Sequence, residues 1–390
     1  MKGQVSERMQ DWTIALGIYA LSRVVMSLGA ILALAVAHVP LSGGIYEAVV
    51  GSQIHDDSTW YAAIAMTGYW PQDTAFFPGY PLLIRGLMDV TGLSAGASGL
   101  IVASGFYIAD LYLFQRMARS LFGRKPAWGA ALVWALCPVA FFLSSAYTEP
   151  EFAFGILLCL YMISRRKYGL AAFGAAFACA VRNEGVVLLI PFLFALVQDW
   201  RASGRPALRA LAWTAVPAGV LLSYAGFLWV TFGHPFLFSK VEALWGRHLA
   251  WPWMTLYHGF MSLPYLFSIN GWYGKAYYAL EAVSVVFAIL ALVYGYRRLP
   301  KGWWWMSLAL IAIPLCDPGH GLESITYHPR PILDYFFSFD RFTLTMIPLW
   351  FVAGAAFDRA SRVLRMVWLT LSSGLLGTLT LFLALGYFWG

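Results

Sequence analysis

Residues 55–85, HDDSTWYAAIAMTGYWPQDTAFFPGYPLLIR, form the longest run in the first third of the chain that lipid cannot simply dissolve. Two adjacent acids, Asp56 and Asp57, open it, an aromatic-rich helical pattern follows, and a Phe-Phe-Pro-Gly-Tyr-Pro break closes it. Trp60, Tyr61, Ile64, Ala65 and Gly68 recur at three- and four-residue spacing, which gives a short helix one apolar face. Such a helix lies in a membrane interface rather than crossing it. Asp57 falls in its first turn, where capping and the helix dipole would by themselves explain an acid. Two neighbouring carboxylates beside a membrane repel each other, however, and need a cation, solvent or a chemical role. Pro78-Gly79-Tyr80-Pro81 then stops the chain and restarts it, with Pro81 suited to the first position of the next helix.

The surroundings of this stretch fix the class. Sixty per cent of the residues are hydrophobic, 17% aromatic and only 12% charged, and the mean hydropathy is +0.67. These values exclude a soluble domain and predict an all-α polytopic membrane protein, a single transmembrane domain over 1–390. The net charge of +7 marks orientation in such a chain, not nucleic-acid binding. The four cysteines, Cys137, Cys159, Cys179 and Cys316, lie in apolar segments without metal-like spacing and read as small buried hydrophobes.

Eighteen of the 26 Lys and Arg residues fall into six clusters: Lys2 and Arg8; Arg116 to Lys125; Arg165 to Lys167; Arg201 to Arg209; Arg297 to Lys301; Arg359 to Arg365. An even number of apolar runs separates each from the next, so all six read as cytoplasmic. Ala35-Val36-Ala37 resembles a signal-peptidase site, but the long first run, interrupted by Arg23, reads as an uncleaved span. About eleven spans follow, of roughly 20 residues where full length. They place three polar loops on the outer face, at 38–95, 233–270 and 317–340, and a short outer loop SSAYTEPE at 144–151. The runs Leu170 to Val181 and Val186 to Leu196 are short, and predict broken helices meeting at Arg182-Asn183-Glu184-Gly185.

Eight basic residues stand outside the clusters: Arg23, Arg85, Arg182, Lys240, Arg247, Lys275, Arg330 and Arg341. Arg23 and Asp110 lie inside apolar spans, where an ionised group is costly unless paired or facing a wet cavity; a structural Arg23–Asp110 pair or snorkelling is the first reading. Arg182 and Glu184 are either a local ion pair or the lining of a polar cavity. Lys240, Arg247 and Arg341 fit interfacial anchors, and equally a cationic cluster for a phosphate-bearing lipid. His320 and His328 read as polar loop residues rather than metal ligands.

Asp57-Ser58-Thr59-Trp60-Tyr61, Ile64-Ala65, Gly68-Tyr69 and Ala75 to Pro81 together resemble the GPI mannosyltransferase 2-like (PIG-V-type) family, bacterial branch, of the GT-C glycosyltransferase superfamily. Tyr147-Thr148-Glu149 with Phe152-Ala153, Arg182-Asn183-Glu184-Gly185, Phe232-Gly233-His234-Pro235, Trp245-Gly246-Arg247 and Arg341-Phe342 are similar to later family motifs, in matching order. Position 56 departs, with Asp where the family commonly has Trp, and Trp60 stands where the eukaryotic pattern has His. The resemblance implies a GT-C fold and an enzyme: a polyprenyl-phosphate-sugar-dependent, inverting glycosyltransferase, moving mannose to an acceptor hydroxyl on a lipid, glycan or protein. The active site would face the extracytoplasmic side of a bacterial plasma membrane. Asp57 aligns with the family's acid and would be the catalytic base. The donor and acceptor would be met by Asp56, Trp60, Tyr61, Arg85, Glu149, Arg182, Glu184, His234, Lys240, Arg247 and Arg341, with the loops at 233–270 and 317–340 forming the binding walls.

Phosphate is a good leaving group once cations stabilise it, so no cofactor is expected. A divalent cation on Asp56 and Asp57 is the disfavoured version. Two other classes compete. A transporter or flippase of lipid-linked sugars would use Arg23, Asp110, Arg182 and Glu184 as its pathway, though the inverted repeats common in transporters are missing. In an assembly subunit, Asp57 would be a helix cap alone.

Overall fold

The computed structural model describes residues 2–36, 43–122, 126–204, 208–323 and 330–387; His328 and the start of the first polar loop lie outside them. The described chain is helical almost throughout, as expected of an all-α membrane protein. Its first half runs through α1 (Lys2–Val36), α2 (Gly44–Val49), α3 (Asp57–Thr67), α4 (Gly79–Thr91), α5 (Ala95–Phe122), α6 (Pro126–Ala135), α7 (Glu149–Ser164), α8 (Tyr168–Val181) and α9 (Leu189–Ser203). The second half holds α10 (Leu208–Ala212), α11 (Ala215–Phe232), α12 (Leu237–Val241), α13 (Pro252–Ile269), α14 (Trp272–Gly295) and α15 (Lys301–Cys316). A hairpin of β1 (Gly319–Glu323) and β2 (Arg330–Asp334) leads to α16 (Phe339–Thr343), α17 (Ile347–Arg359) and α18 (Arg362–Ala384).

Among the described residues six helical stretches are long and apolar enough to cross a membrane: Glu7–Val36, Ala95–Phe122, Asn183–Ser203, Leu208–Phe232, Trp272–Gly295 and Arg362–Ala384. The other predicted spans fall on helices of 10 to 16 residues, α6, α7, α8, α15 and α17. These pack in the centre of the molecule, so their short ends and the irregular backbone between α6 and α7 meet protein rather than lipid, the condition under which non-helical chain is tolerated at membrane depth. The expected outer loop SSAYTEPE is corrected by this: Ser144, Ser145, Thr148, Glu149 and Glu151 are fully buried. Ser145 turns its hydroxyl onto the Phe141 carbonyl at 2.9 Å, and the backbone N–H of Ala146 donates to the Gln53 carbonyl at 3.0 Å. A local bond of this kind lets Ser145 enter the core with its hydroxyl paired, whereas the buried Ser144 hydroxyl and both Glu151 oxygens have no partner among the described residues.

With lipid outside, close helix packing rather than a hydrophobic gradient holds the bundle, and small residues mark the crossings. A Cβ on Gly29 of α1 would stand 2.0 Å from the Gly377 carbonyl oxygen of α18, so the first and last long helices touch backbone to backbone. Aromatic rings fill the interior: Phe114 stacks on Trp134 with centroids 5.1 Å apart, and the Trp134 indole donates to the Leu344 carbonyl at 3.0 Å.

Two expectations need amendment. The segment 233–270 is not all loop, since α13 occupies 18 residues of it; its mixture of Trp, Tyr, His and Pro hides the helix in the sequence. Pro81 sits at the third position of α4, which begins at Gly79.

The basic clusters share one end of the molecule. Arg116 and Arg119 of α5 both reach Asp11 of α1, Arg116 and Arg165 both donate to the Tyr161 hydroxyl, Arg166 pairs with Asp199 at 3.1 Å, and Arg359 donates to the Tyr294 hydroxyl at 3.0 Å. The three polar stretches meet at the other end.

Candidate functional site

Asp57 begins α3, as the sequence spacing predicts, and Asp56 occupies the cap position before it with φ 54° and ψ −118°. A non-glycine residue in that conformation is strained, on the order of 1–3 kcal/mol, and persists only where its surroundings hold it. Asp56 makes no side-chain capping bond, so capping explains neither acid. Tyr61, Ile64 and Ala65 are buried on the inner side of α3, and the Tyr61 and Thr148 hydroxyls lie 3.3 Å apart, joining α3 to the start of α7. Burial pushes the Asp56 carboxyl up to about 6, helped by the charge of Asp57 and opposed by Arg341.

A ladder of five charges runs inward from Asp57. Arg341 bridges two carboxylates, donating Nη1 to Asp57 Oδ2 and Nε to Glu149 Oε1. Arg182 continues it, with Nη1 3.1 Å from the same Glu149 oxygen and Nη2 3.1 Å from Glu184 Oε1. Of the two readings of Arg182 and Glu184, the ion pair is the one observed. The guanidinium of Arg341 lies 4.7 Å from the Tyr147 ring and that of Arg182 4.8 Å from Phe342. Flat aromatic walls suit a weakly hydrated guanidinium that has left water. The break that presents Arg182 has a steric cause: Arg182 is extended at φ −150° and ψ 145°, and at Gly185 a Cβ would meet the Cys179 backbone nitrogen at 2.4 Å.

Arg247 stands next to the ladder, 5.7 Å from the Phe342 ring that Arg182 also meets. It donates to the Asp317 carbonyl at 2.9 Å, while its carboxylate neighbours Glu242 and Asp317 are at 3.7 and 3.8 Å. Burial raises Glu242 to about 7, against the pull of Arg247. Trp245 meets Trp60 and Phe76 edge-on at 5.9 and 5.7 Å. The first, second and third polar stretches thus converge through Trp60 with Trp245, Arg247 with Asp317, and Asp57 with Arg341.

The remaining predicted residues stay apart from the ladder. His234 and Lys240 bond each other, Nε2 to Nζ 3.0 Å, on the exposed surface. Arg85 pairs with Asp89 one turn along α4 at 2.9 Å. Arg23 does not pair with Asp110: it donates to the Gln53 side chain, and both Asp110 oxygens lack a partner among the described residues.

Sequence reasoning passed over the supports of Arg341. Glu281 of α14 accepts from the Asp340 backbone N–H at 2.9 Å, and the Asp340 carboxylate accepts from the Arg341 N–H at 2.6 Å. The turn before it is strained as well, with Ser338 at φ 61°. An acid in the middle of an apolar helix was the available signal for Glu281. Among the described residues no group of three or more His, Cys, Asp or Glu is placed to hold a metal ion.

Comparison with known proteins bears on residues 39–203, which match a family described as Mannosyltransferase (PIG-V). GPI alpha-1,6-mannosyltransferase 2 of Rattus norvegicus is 30% identical over 154 residues, 37% of this chain and 31% of the relative. The Homo sapiens protein of that name is 29% identical over the same length and shares, and GPI mannosyltransferase 2 of Yarrowia lipolytica is 32% identical over 100 residues, 25% of this chain and 28% of the relative. The chain spans about a third of the length of the curated relatives it matches. Asp57, Glu149, Arg182 and Glu184 lie inside the matched segment, while Arg247 and Arg341 lie beyond it. Residues 39–203 of the chain are thus similar to the PIG-V-type mannosyltransferases.

Proposed function

We propose that the protein is an inverting mannosyltransferase that takes the sugar from a polyprenyl-phosphate donor and passes it to an acceptor hydroxyl on the extracytoplasmic face. The observation that carries this reading is the Asp57–Arg341–Glu149 bridge, held where the three polar stretches converge. The acceptor oxygen attacks the anomeric carbon, the carbon–oxygen bond to phosphate breaks, and polyprenyl phosphate leaves with the electron pair. The hydroxyl proton passes to Asp57, through the oxygen that Arg341 leaves free.

The ladder sets two guanidiniums against three carboxylates, so it is not itself a phosphate site. Arg341 fixes the direction of Asp57, a positioning role, with Glu149 and Arg182 holding Arg341 in turn. The phosphate is better served by Arg247, whose carboxylate neighbours are loosely placed, and by Lys240, which bonds His234 and has no carboxylate partner among the described residues. Guanidinium and ammonium groups stabilise charge as it develops on the departing oxygen. Asp56 and Trp60 border the acceptor side.

The test is incubation of the purified chain in detergent with radiolabelled polyprenyl-phosphate-mannose and lipid, glycan and peptide acceptors. A new glycoside with consumption of donor, lost in Asp57→Asn, is the expected result. Passage of intact donor across a liposome membrane without glycoside formation would instead establish the transport reading, for which Asp110 and Glu151, fully buried and without hydrogen-bond partners among the described residues, are the relevant groups. Neither outcome would leave only the assembly role.

A further inference from the structure

A cavity lies at the end of the molecule opposite the ladder. It is an open cleft of about 730 Å³ where α5, α6, α17 and α18 begin or end, and is lined by Leu121, Phe122, Trp128, Ala355, Asp358, Arg359 and Arg365. Its two chemistries are separate. Leu121, Phe122, Trp128 and Ala355 make an apolar wall, and Trp128 is half exposed, in the manner of an aromatic belt at a membrane surface. Arg359 and Arg365 supply the polar side.

Arg365 is the informative residue. Its Nε is buried and has no hydrogen-bond partner among the described residues; the Asp358 charge acts on the guanidinium, but Asp358 Oδ2 is itself buried and unbonded, so the two do not satisfy each other. A buried guanidinium donor left without an acceptor is uncommon, and asks for an unseen partner. Arg359 gives one N–H to the Tyr294 hydroxyl and keeps the others. The single carboxylate present, Asp358, is turned toward the first turn of α6: a Cβ on Gly129 would meet its Oδ1 at 2.4 Å. In that position it offsets the positive end of the α6 dipole, and it leaves the lining with two cations to one anion.

From the orphaned Arg365 donor, the apolar wall and the position at helix ends, we propose that this cavity binds the phosphate headgroup of an anionic membrane phospholipid, with an acyl chain along Leu121, Phe122 and Trp128. Two guanidiniums can hold phosphate oxygens by paired N–H donors, and basic pockets between helix ends are suited to such headgroups. The site is independent of the transfer reaction and stands or falls without it.

The experiment uses the full chain in detergent. Native mass spectrometry and thermal unfolding are followed with added dioleoylphosphatidylglycerol, dioleoylphosphatidylcholine or glycerol phosphate. Phosphatidylglycerol should raise the midpoint by about 5 °C more than phosphatidylcholine and remain bound as a retained adduct. The double variant Arg359→Gln/Arg365→Gln should lose that difference, while Arg201→Gln, an exposed basic residue outside the cavity, should keep it. Equal shifts with the two lipids in the wild type would overturn the proposal, even if the double variant does not fold. So would a full shift with glycerol phosphate, which would make the ligand a soluble phosphate, or an undiminished shift in a folded double variant.

Discussion

The two ends of this molecule are both rich in arginine, and they use it differently. At one end the guanidiniums of Arg116, Arg165, Arg166 and Arg359 reach a tyrosine or an aspartate near the surface. At the other, Arg341 is nine-tenths buried, shared by two carboxylates and walled by aromatic rings. Exposed pairs of the first kind contribute about 0–1 kcal/mol each and mark where the chain meets a membrane surface. A buried bridge of the second kind is a poor source of stability, because desolvation cancels much of its attraction. What it secures is direction, and that is why chemistry is sought there.

The contrast can be broken most severely at Arg341. Arg341→Ala leaves Asp57 and Glu149 without their shared cation, and should cost about 3–5 kcal/mol of stability together with all measurable transfer. Asp57→Asn keeps the Arg341–Glu149 contact. It should leave the unfolding midpoint within a few degrees of wild type while transfer falls by about 10²–10⁴. Retention of full transfer by a folded Asp57→Asn protein would remove Asp57 from the reaction.

A smaller effect is expected at Asp56, whose carboxyl is held up to about 6 by burial and by Asp57. Because the folded protein keeps this proton more tightly than the unfolded chain, stability falls as pH rises from about 4 to about 6, and then levels. Asp56→Asn should flatten that slope, remove any acid limb of activity near pH 6, and change the plateau rate by less than about tenfold. EDTA should change transfer by less than about twofold, since phosphate can be met by Arg247 and Lys240. A loss restored by manganese would instead make Asp56 and Asp57 metal ligands. Smallest of all is Arg165→Ala at the surface end, within about 0.5 kcal/mol in stability and without effect on transfer.

Much of this architecture is legible from residue type and spacing. The helix from Asp57, the break at Arg182 to Gly185 and the common end of the basic clusters all follow from local rules: period, chain termination and loop charge. The bridge itself is not local. Arg341 lies 284 residues from Asp57 and 192 from Glu149, and nothing in a span pattern says which cation meets which acid. The pairing of Arg23 with Gln53 instead of Asp110 shows how easily complementary charges suggest the wrong partner. The buried SSAYT segment misleads for another reason: serine and threonine read as loop, yet can bond to their own backbone and enter a core. Glu281 carries the same cost of burial as the intramembrane Asp110, but its partner is the Asp340 backbone N–H, 59 residues away, which no span pattern points to.

The separation of Asp57 from Arg341 also sets an order in time. Ribosomes add about 5–20 residues per second, so 284 residues correspond to roughly 15–60 s. For that interval Asp57 and then Glu149 are already synthesised while their guanidinium does not yet exist. The nascent protein must carry these acids protonated, hydrated or shielded by the insertion machinery until Arg341 arrives, and the bridge cannot close before then.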